Sequence, residues 1–178
     1  MSDWRPGARR ADIASMLRVD QAGEYGATRI YAGQLAVLAR GSAAAHQIAR
    51  MAAQEERHLD RFNQLMAARR VRPTLLQPIW NVAGFALGAA TALISEKAAM
   101  ACTDAVETEI DQHYAGQLAE LGDSEPELAA DIAEFQAEEL EHRATAREHG
   151  AQDAIAYPLL TAAIRAGCRV AIGLSKRI

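Results

Sequence analysis

The sequence predicts an all-α domain, on three observations. Half of its 178 residues are hydrophobic but only 5% are aromatic, so alanine, the best helix former, carries much of the apolar character. There are five prolines, and none lies between Glu96 and Gly122. The breaks between long apolar-patterned runs carry helix caps and helix stops. The length suits one domain with a sizeable core.

Residues 1–11 form a loose tail in this reading. Asp12 caps a first helix that runs to about Arg40, with Ile13, Met16, Leu17, Ile30, Leu35 and Leu38 as apolar positions. Gly23, Gly26 and Gly33 lower its propensity, which calls for a reason such as close packing around a site. Ser42 caps a second helix to about Arg70. Pro73 and Pro78 punctuate a stretch, 73–95, that holds no charged residue. A further helix runs from Ser95 to about Leu121 and stops at Gly122. Ser124-Glu125-Pro126-Glu127 starts the next, with Ser124 as cap and acids in the first turn. It ends near His149, at Gly150. Asp153 or Tyr157-Pro158 opens a last helix to about Leu174. The domain at 12–178 thus has four main helices and two additional apolar ones.

Two Glu-x-x-His pairs carry the chemistry: Glu55 with His58, and Glu139 with His142. Residues three apart share a helix face, so each pair presents a carboxylate and an imidazole to one point. A single such pair is a weak signal, but here the pattern is doubled. Glu24 lies 31 residues before Glu55, and Glu107 lies 32 before Glu139. Each half reads as one helix bearing a Glu, followed by an antiparallel helix bearing Glu-x-x-His. This is the ligand plan of ferritin-like dinuclear carboxylate proteins, a four-helix bundle with one long crossover. Four carboxylates and two neutral imidazoles carry about −4, which two divalent ions balance. Nitrogen with carboxylate ligation suits iron or manganese and disfavours calcium or magnesium. Glu56, Arg57, Asp60, Glu138, Glu141 and Arg143 are assigned to solvated faces and intrahelical pairs.

The net charge of −4 gives no reason to expect a nucleic-acid partner. Cys102 and Cys168 sit among apolar neighbours, form no C-x-x-C pair, and read as buried reduced thiols. The opening MSDWRPGARR has no apolar stretch and does not read as a secretory signal.

RVDQAGEYGATRIYAGQ at 18–34, QEERHLDRF at 54–62, ACTDAVETEIDQHYAGQL at 101–118 and EFQAEELEH at 134–142 together resemble the demethoxyubiquinone hydroxylases of ubiquinone biosynthesis. AGCRVAIGLSKRI at 166–178 resembles that family's C-terminus, so the likeness spans about 12–178. The resemblance implies a di-iron monooxygenase that uses O2 to hydroxylate the ring of a polyprenylated methoxy-methyl-benzoquinol. It implies Glu24, Glu55, His58, Glu107, Glu139 and His142 as ligands of two iron ions, Fe2+ when reduced, with Glu55 and Glu139 bridging. His113 and Tyr114 also match, and proton or electron delivery stands beside a structural core role for them. Tyr25 is a candidate neighbour of Glu24, and Arg169 reads as a surface residue with an option to meet substrate or reductant. The reductant is left open between NADH and the quinol itself, and GEYGATRIYAG is no G-x-G-x-x-G fingerprint. A lipid-presenting helper protein is also implied.

A prenyl tail keeps its owner in a bilayer. The run 73–95 is long enough to span one, but a single crossing would part Glu24, Glu55 and His58 from the other three ligands. It therefore reads as an interface helix, with Arg69, Arg70 and Arg72 at headgroups and Trp80 in the interfacial belt. The last helix, with Leu159, Leu160, Ile164, Val170 and Ile172, joins it. The expected location is peripheral, on the cytoplasmic side of the inner or cell membrane. Two other readings compete: a ferritin- or rubrerythrin-type iron oxidase or peroxide scavenger, and a non-enzymatic helical lipid-binding protein.

Overall fold

A computed structural model describes residues 11–177, so the expected tail lies outside the described residues except for Ala11. Six helices account for the fold: α1 (Ile13–Val37), α2 (Ala43–Arg69), α3 (Gln77–Ile94), α4 (Glu96–Leu121), α5 (Pro126–Glu148) and α6 (Tyr157–Ser175). No strand occurs among the described residues. The all-α expectation holds, and the arrangement is that of a ferritin-like bundle.

The caps follow the side-chain chemistry. Asp12 accepts from the Ser15 amide, Ser42 from Ala45 and Ser95 from Ala98, each satisfying an orphan N–H of a first turn. Ser124 does not cap α5. Pro126 disfavours helical dihedrals at the residue before it, so Glu125 stays non-helical and takes the cap position. Ser124 instead donates its hydroxyl to the Leu121 carbonyl at 2.6 Å. The last helix opens at Tyr157-Pro158, while Asp153 ends a short 3-10 turn, Ala151–Asp153. The first helix stops at Val37, short of Arg40.

Two helical hairpins, α1–α2 and α4–α5, form the bundle, and each is followed by an apolar helix. α3 lies mainly on α1 and also touches α4; α6 lies mainly on α4 and also touches α1. The chain is thus a twofold repeat of three helices. Glycine sets how closely α3 lies. A Cβ at Gly88 would come 1.9 Å from the Ile30 carbonyl oxygen, and one at Gly33 would come 2.1 Å from that of Phe85. The two backbones therefore touch directly. Gly33 is explained by this packing on α3, whereas Gly23 and Gly26 face open space.

The core has two apolar ends. Tyr31, Ile48, Met51 and Met100 fill one, and Leu17, Phe62, Leu65, Leu128 and Ile132 fill the other. Between these ends, along all four bundle helices, the sequence places Glu24, Glu55, Glu107 and Glu139.

Candidate metal centre

Each bundle helix contributes to one buried polar site. α1 supplies Glu24, α2 supplies Glu55 and His58, α4 supplies Glu107, and α5 supplies Glu139 and His142; none is more than 2% exposed. Glu24, Glu55, His58 and Glu139 form one group, and Glu55, Glu107, Glu139 and His142 a second. Within each group the potential donor atoms all lie within 4.8 Å of one another. Glu55 and Glu139 belong to both groups. All six residues singled out by spacing and resemblance therefore come together.

The donor set fits cations. His58 Nδ1 lies 3.4 Å from Glu24, 3.9 Å from Glu55 and 3.2 Å from Glu139. His142 Nδ1 lies 3.1 Å from both Glu55 and Glu139. Glu24 Oε2, both Glu55 oxygens, Glu107 Oε2, Glu139 Oε1 and His58 Nδ1 are buried without a hydrogen-bond partner. Buried, unpaired carboxylate oxygens are costly in an apolar core, and a shared divalent ion is what would satisfy them at once.

The protonation pattern of the bare site shows the same demand for positive charge. Burial, then repulsion from Glu139 and Glu24, pushes the Glu55 carboxyl well above its usual range. Burial and Glu139 do the same to Glu107. Burial alone would lower the pKa of His58, but the Glu139 and Glu24 carboxylates beside its Nδ1 raise it to about 10. Burial would raise Glu139, yet His142 and His58 hold it at about 2. Protons thus occupy positions that a metal ion would take over.

Both histidines are oriented from behind. His58 Nε2 lies 2.8 Å from Glu138 Oε2, and His142 Nε2 lies 3.0 Å from Gln54 Oε1. A carboxylate and an amide oxygen only accept, so each imidazole donates Nε2–H and turns Nδ1 toward the centre, the nitrogen a metal ion would take. Glu138 was assigned to a solvated intrahelical pair and is not one. It bridges helices, accepting from Arg57 at 2.9 Å and 3.0 Å and from Gln54 Nε2 at 3.3 Å. Arg143 likewise reaches across to Asp111 on α4. A signal was present in the sequence: Gln54 and Glu138 each immediately precede the Glu of a Glu-x-x-His pair.

Two tyrosines support the carboxylates in a crossed arrangement. Tyr114 of α4 donates to Glu24 of α1. Tyr31 of α1 donates to Glu107 of α4 at 2.5 Å. Burial and the neighbouring carboxylates push both phenols well above their usual range, so both remain donors. Tyr31 escaped the sequence reading, although each Tyr follows its own helix's Glu by seven residues. Tyr25, the expected neighbour, instead offers its carbonyl to Thr28. His113 stands off the centre. Its Nε2 lies 3.0 Å from Gln117 Nε2 and 3.3 Å from the buried Asp20, at the wall of a polar cleft of about 370 Å3.

A second cavity, about 540 Å3 and almost wholly apolar, lies between α1, α3, α4 and α6. Gly23 and Ala27 reach it from either side of Glu24, as Val106 and Ile110 do around Glu107. Gly26, Gly84 and Gly167 also line it. The Trp80 indole N–H donates to Ser175 at 3.2 Å, so Trp80 ties α3 to α6 across the cavity. Glu109 is the one charged residue in its wall, held by Arg165 at 2.5 Å and Arg169 at 2.8 Å. Arg169 is thus an exposed surface residue, as expected, that pairs with the wall residue Glu109. Cys102 and Cys168 are free thiols, both raised to about 12 by burial.

A four-helix bundle with two carboxylate–imidazole groups sharing two carboxylates defines a protein of the ferritin-like metal-centre class. Within that class the chain belongs to the family described as "Ubiquinone biosynthesis protein COQ7", whose model matches residues 11–175. It is 58% identical over 166 residues to "3-demethoxyubiquinol 3-hydroxylase" of Rhodospirillum rubrum, covering 93% of this chain and 78% of that one. It is 54% identical over 172 residues to "NADPH-dependent 3-demethoxyubiquinone 3-hydroxylase, mitochondrial" of Mus musculus, covering 94% and 79%. It is 45% identical over 187 residues to "5-demethoxyubiquinone hydroxylase, mitochondrial" of Saccharomyces cerevisiae, covering 96% and 80%. The expected hydroxylase of ubiquinone biosynthesis agrees with the family and with these names; the iron-oxidase or peroxide-scavenger reading and the non-enzymatic lipid-binding reading do not.

Proposed function

We propose that the chain hydroxylates the ring of a polyprenylated methoxy-methyl-benzoquinol, using O2 at a centre of two irons. The reading is carried by one juxtaposition: a buried double carboxylate–imidazole site one helix away from an apolar cavity. A cavity of about 540 Å3 falls within the ~300–1,000 Å3 of small-ligand sites and suits a ring with the first part of a prenyl tail. The ring exchanges a C–H for a C–OH, and the second oxygen atom leaves as water with two electrons from a reductant. A nicotinamide supplies them in our reading, in keeping with the printed name of the mouse relative.

Glu24 and His58 would hold one iron, Glu107 and His142 the other, with Glu55 and Glu139 between them. Bound iron would supply the activation of O2. The protein's own groups prepare the site for it. Glu138 and Gln54 keep the Nδ1 lone pairs aimed inward, and Tyr114 and Tyr31 hold Glu24 and Glu107 in place through their hydroxyl protons. The apolar ends of the bundle exclude water from the centre.

The lipid reaches the cavity from a membrane surface. Ile79, Val82 and Leu93 of α3 and Leu159, Val170 and Leu174 of α6 are exposed apolar side chains on the two helices that wall the cavity. α3 is long and apolar enough to cross a bilayer. Yet the helices before and after it meet at one site, which supports lying in the interface over spanning it. Arg70 and Arg72 are exposed near its start, while Arg69 is engaged with Glu125 at 3.0 Å. The peripheral site on the cytoplasmic face, and a helper protein that presents the lipid, belong to the same proposal.

Quinone profiling by mass spectrometry in a strain lacking the chain tests the reaction. The methoxy-quinol precursor accumulates and ubiquinone falls if the proposal is right; normal ubiquinone with no precursor refutes it. Val82→Asp releases the protein from anionic liposomes in flotation, and unchanged flotation would count against the interface helix.

A further inference from the structure

The two halves of the centre share one ligand plan and differ in what stands behind the histidines. His58 donates Nε2–H to Glu138, whose carboxylate is kept ionised by the two contacts from Arg57. His142 donates to the neutral amide oxygen of Gln54. An imidazole that donates to a carboxylate gains electron density at its other nitrogen and becomes a stronger ligand; an amide acceptor adds much less. Burial amplifies the difference, since His58 is fully buried and stacked on Phe135 with ring centroids 4.1 Å apart.

Glu138 reaches further. Gln54 gives its amide N–H to Glu138 and its carbonyl to His142, so Glu138 also fixes which way the Gln54 amide faces. One carboxylate thereby orients His58 directly and His142 through Gln54.

We propose that Glu138 is a positioning residue that makes the two metal positions unequal, so that the Glu24–His58 position takes up its divalent ion before the Glu107–His142 position. The proposal rests on the reading of the site as a dinuclear centre. Sequential filling gives the centre a defined half-loaded state with the metal on the His58 side.

Anaerobic titration of the metal-free full chain with Mn2+ or Fe2+ tests it, with Mn2+ located by anomalous diffraction at one equivalent. The wild type binds two ions in distinct steps, and the first equivalent lies on His58. Glu138→Gln weakens the first step by about 10–100-fold, the range seen when such outer partners are lost. Gln54→Glu strengthens the second step and narrows the gap from the other side. Arg57→Ala, at an exposed residue outside the core, gives a smaller loss in the first step and guards against misfolding of the Glu138 variant. Two indistinguishable steps in the wild type, first occupancy on His142, or an unchanged first step in Glu138→Gln each overturn the proposal while leaving a dinuclear centre intact. Failure to bind any stoichiometric metal overturns the dinuclear reading itself.

Discussion

Two spaces lie on either side of α1 and α4, one buried and one open to the surface, and they are chemical opposites. The centre between the hairpins is crowded with carboxylate oxygens, several of them without a partner. The cavity under α3 and α6 is lined by alanine, glycine and branched aliphatic groups, with Glu109 as its only charge. The first space needs cations to make its charge tolerable in a low-dielectric core. The second has room but few polar groups, so it suits an apolar guest. Alternate helix positions separate them: Glu24 and Glu107 face inward, while Gly23, Gly26, Val106 and Ile110 face the cavity.

The strongest way to break the contrast is to remove a shared carboxylate. Glu139→Ala abolishes stoichiometric iron binding and turnover while circular dichroism still reports a helical bundle. Iron content and product formation check this, and unchanged turnover would sink the assignment.

Filling the other space should act on the lipid and not on the metal. Gly167 lines the cavity, and a Cβ there meets nothing within 4 Å. Gly167→Leu therefore keeps iron content and changes stability by no more than about 1 kcal/mol, since the lost helix cost of glycine offsets crowding. Quinol turnover falls at least tenfold. By contrast, Gly88→Leu clashes with the Ile30 backbone and lowers stability by about 3 kcal/mol or more, read as a fall in Tm.

The pH dependence sharpens the comparison from the metal side. Glu55 and Glu107 have folded-state pKa values above their unfolded ones, and so does His58 at about 10. Their stabilising contribution to the metal-free protein is full below the unfolded values and is lost as pH rises through the folded ones. Glu139, at about 2, acts in the opposite sense, but its window lies below the ordinary carboxylate range. Metal binding displaces these protons, so the Tm gain on adding metal grows as pH rises toward about 10, where the bare His58 would give up its proton unaided. A gain independent of pH would contradict the protonation pattern. The smallest effect belongs to Glu109→Gln. Arg165 and Arg169 are partly exposed, and solvent screens their pairing, so the loss is about 1 kcal/mol or less in thermal unfolding.

Much of this was legible in the chain. Capping residues located the starts of α1, α2 and α4, and Tyr157-Pro158 was one of the two starts open for α6, because those signals act within one turn. Ser124 misled because the proline two residues on overrides a good cap. The six-residue set was legible because it is repeated with matched spacing and each pair is local to one helix. Glu138 was misread because its partners are Arg57 and His58, some eighty residues away, and nothing local distinguishes it from a solvated acid. Tyr25 was preferred to Tyr31 for the same reason: adjacency in sequence turns a helical residue about 100° away from its neighbour.

The sequence by itself determined a helical chain of two alike halves, the types of its metal-seeking residues, and the need for both halves to share one compartment. Local propensity, period and charge balance suffice for that. Only the tertiary structure decided which residues hold the histidines from behind, and that the glycines divide into those touching α3 and those leaving a cavity open; it also placed Glu55 and Glu139 in both groups, a sharing that spacing does not show and only the family resemblance had implied. Each depends on which side chains meet across helices, and that is set by packing geometry over long sequence separations, where one-dimensional spacing carries no information.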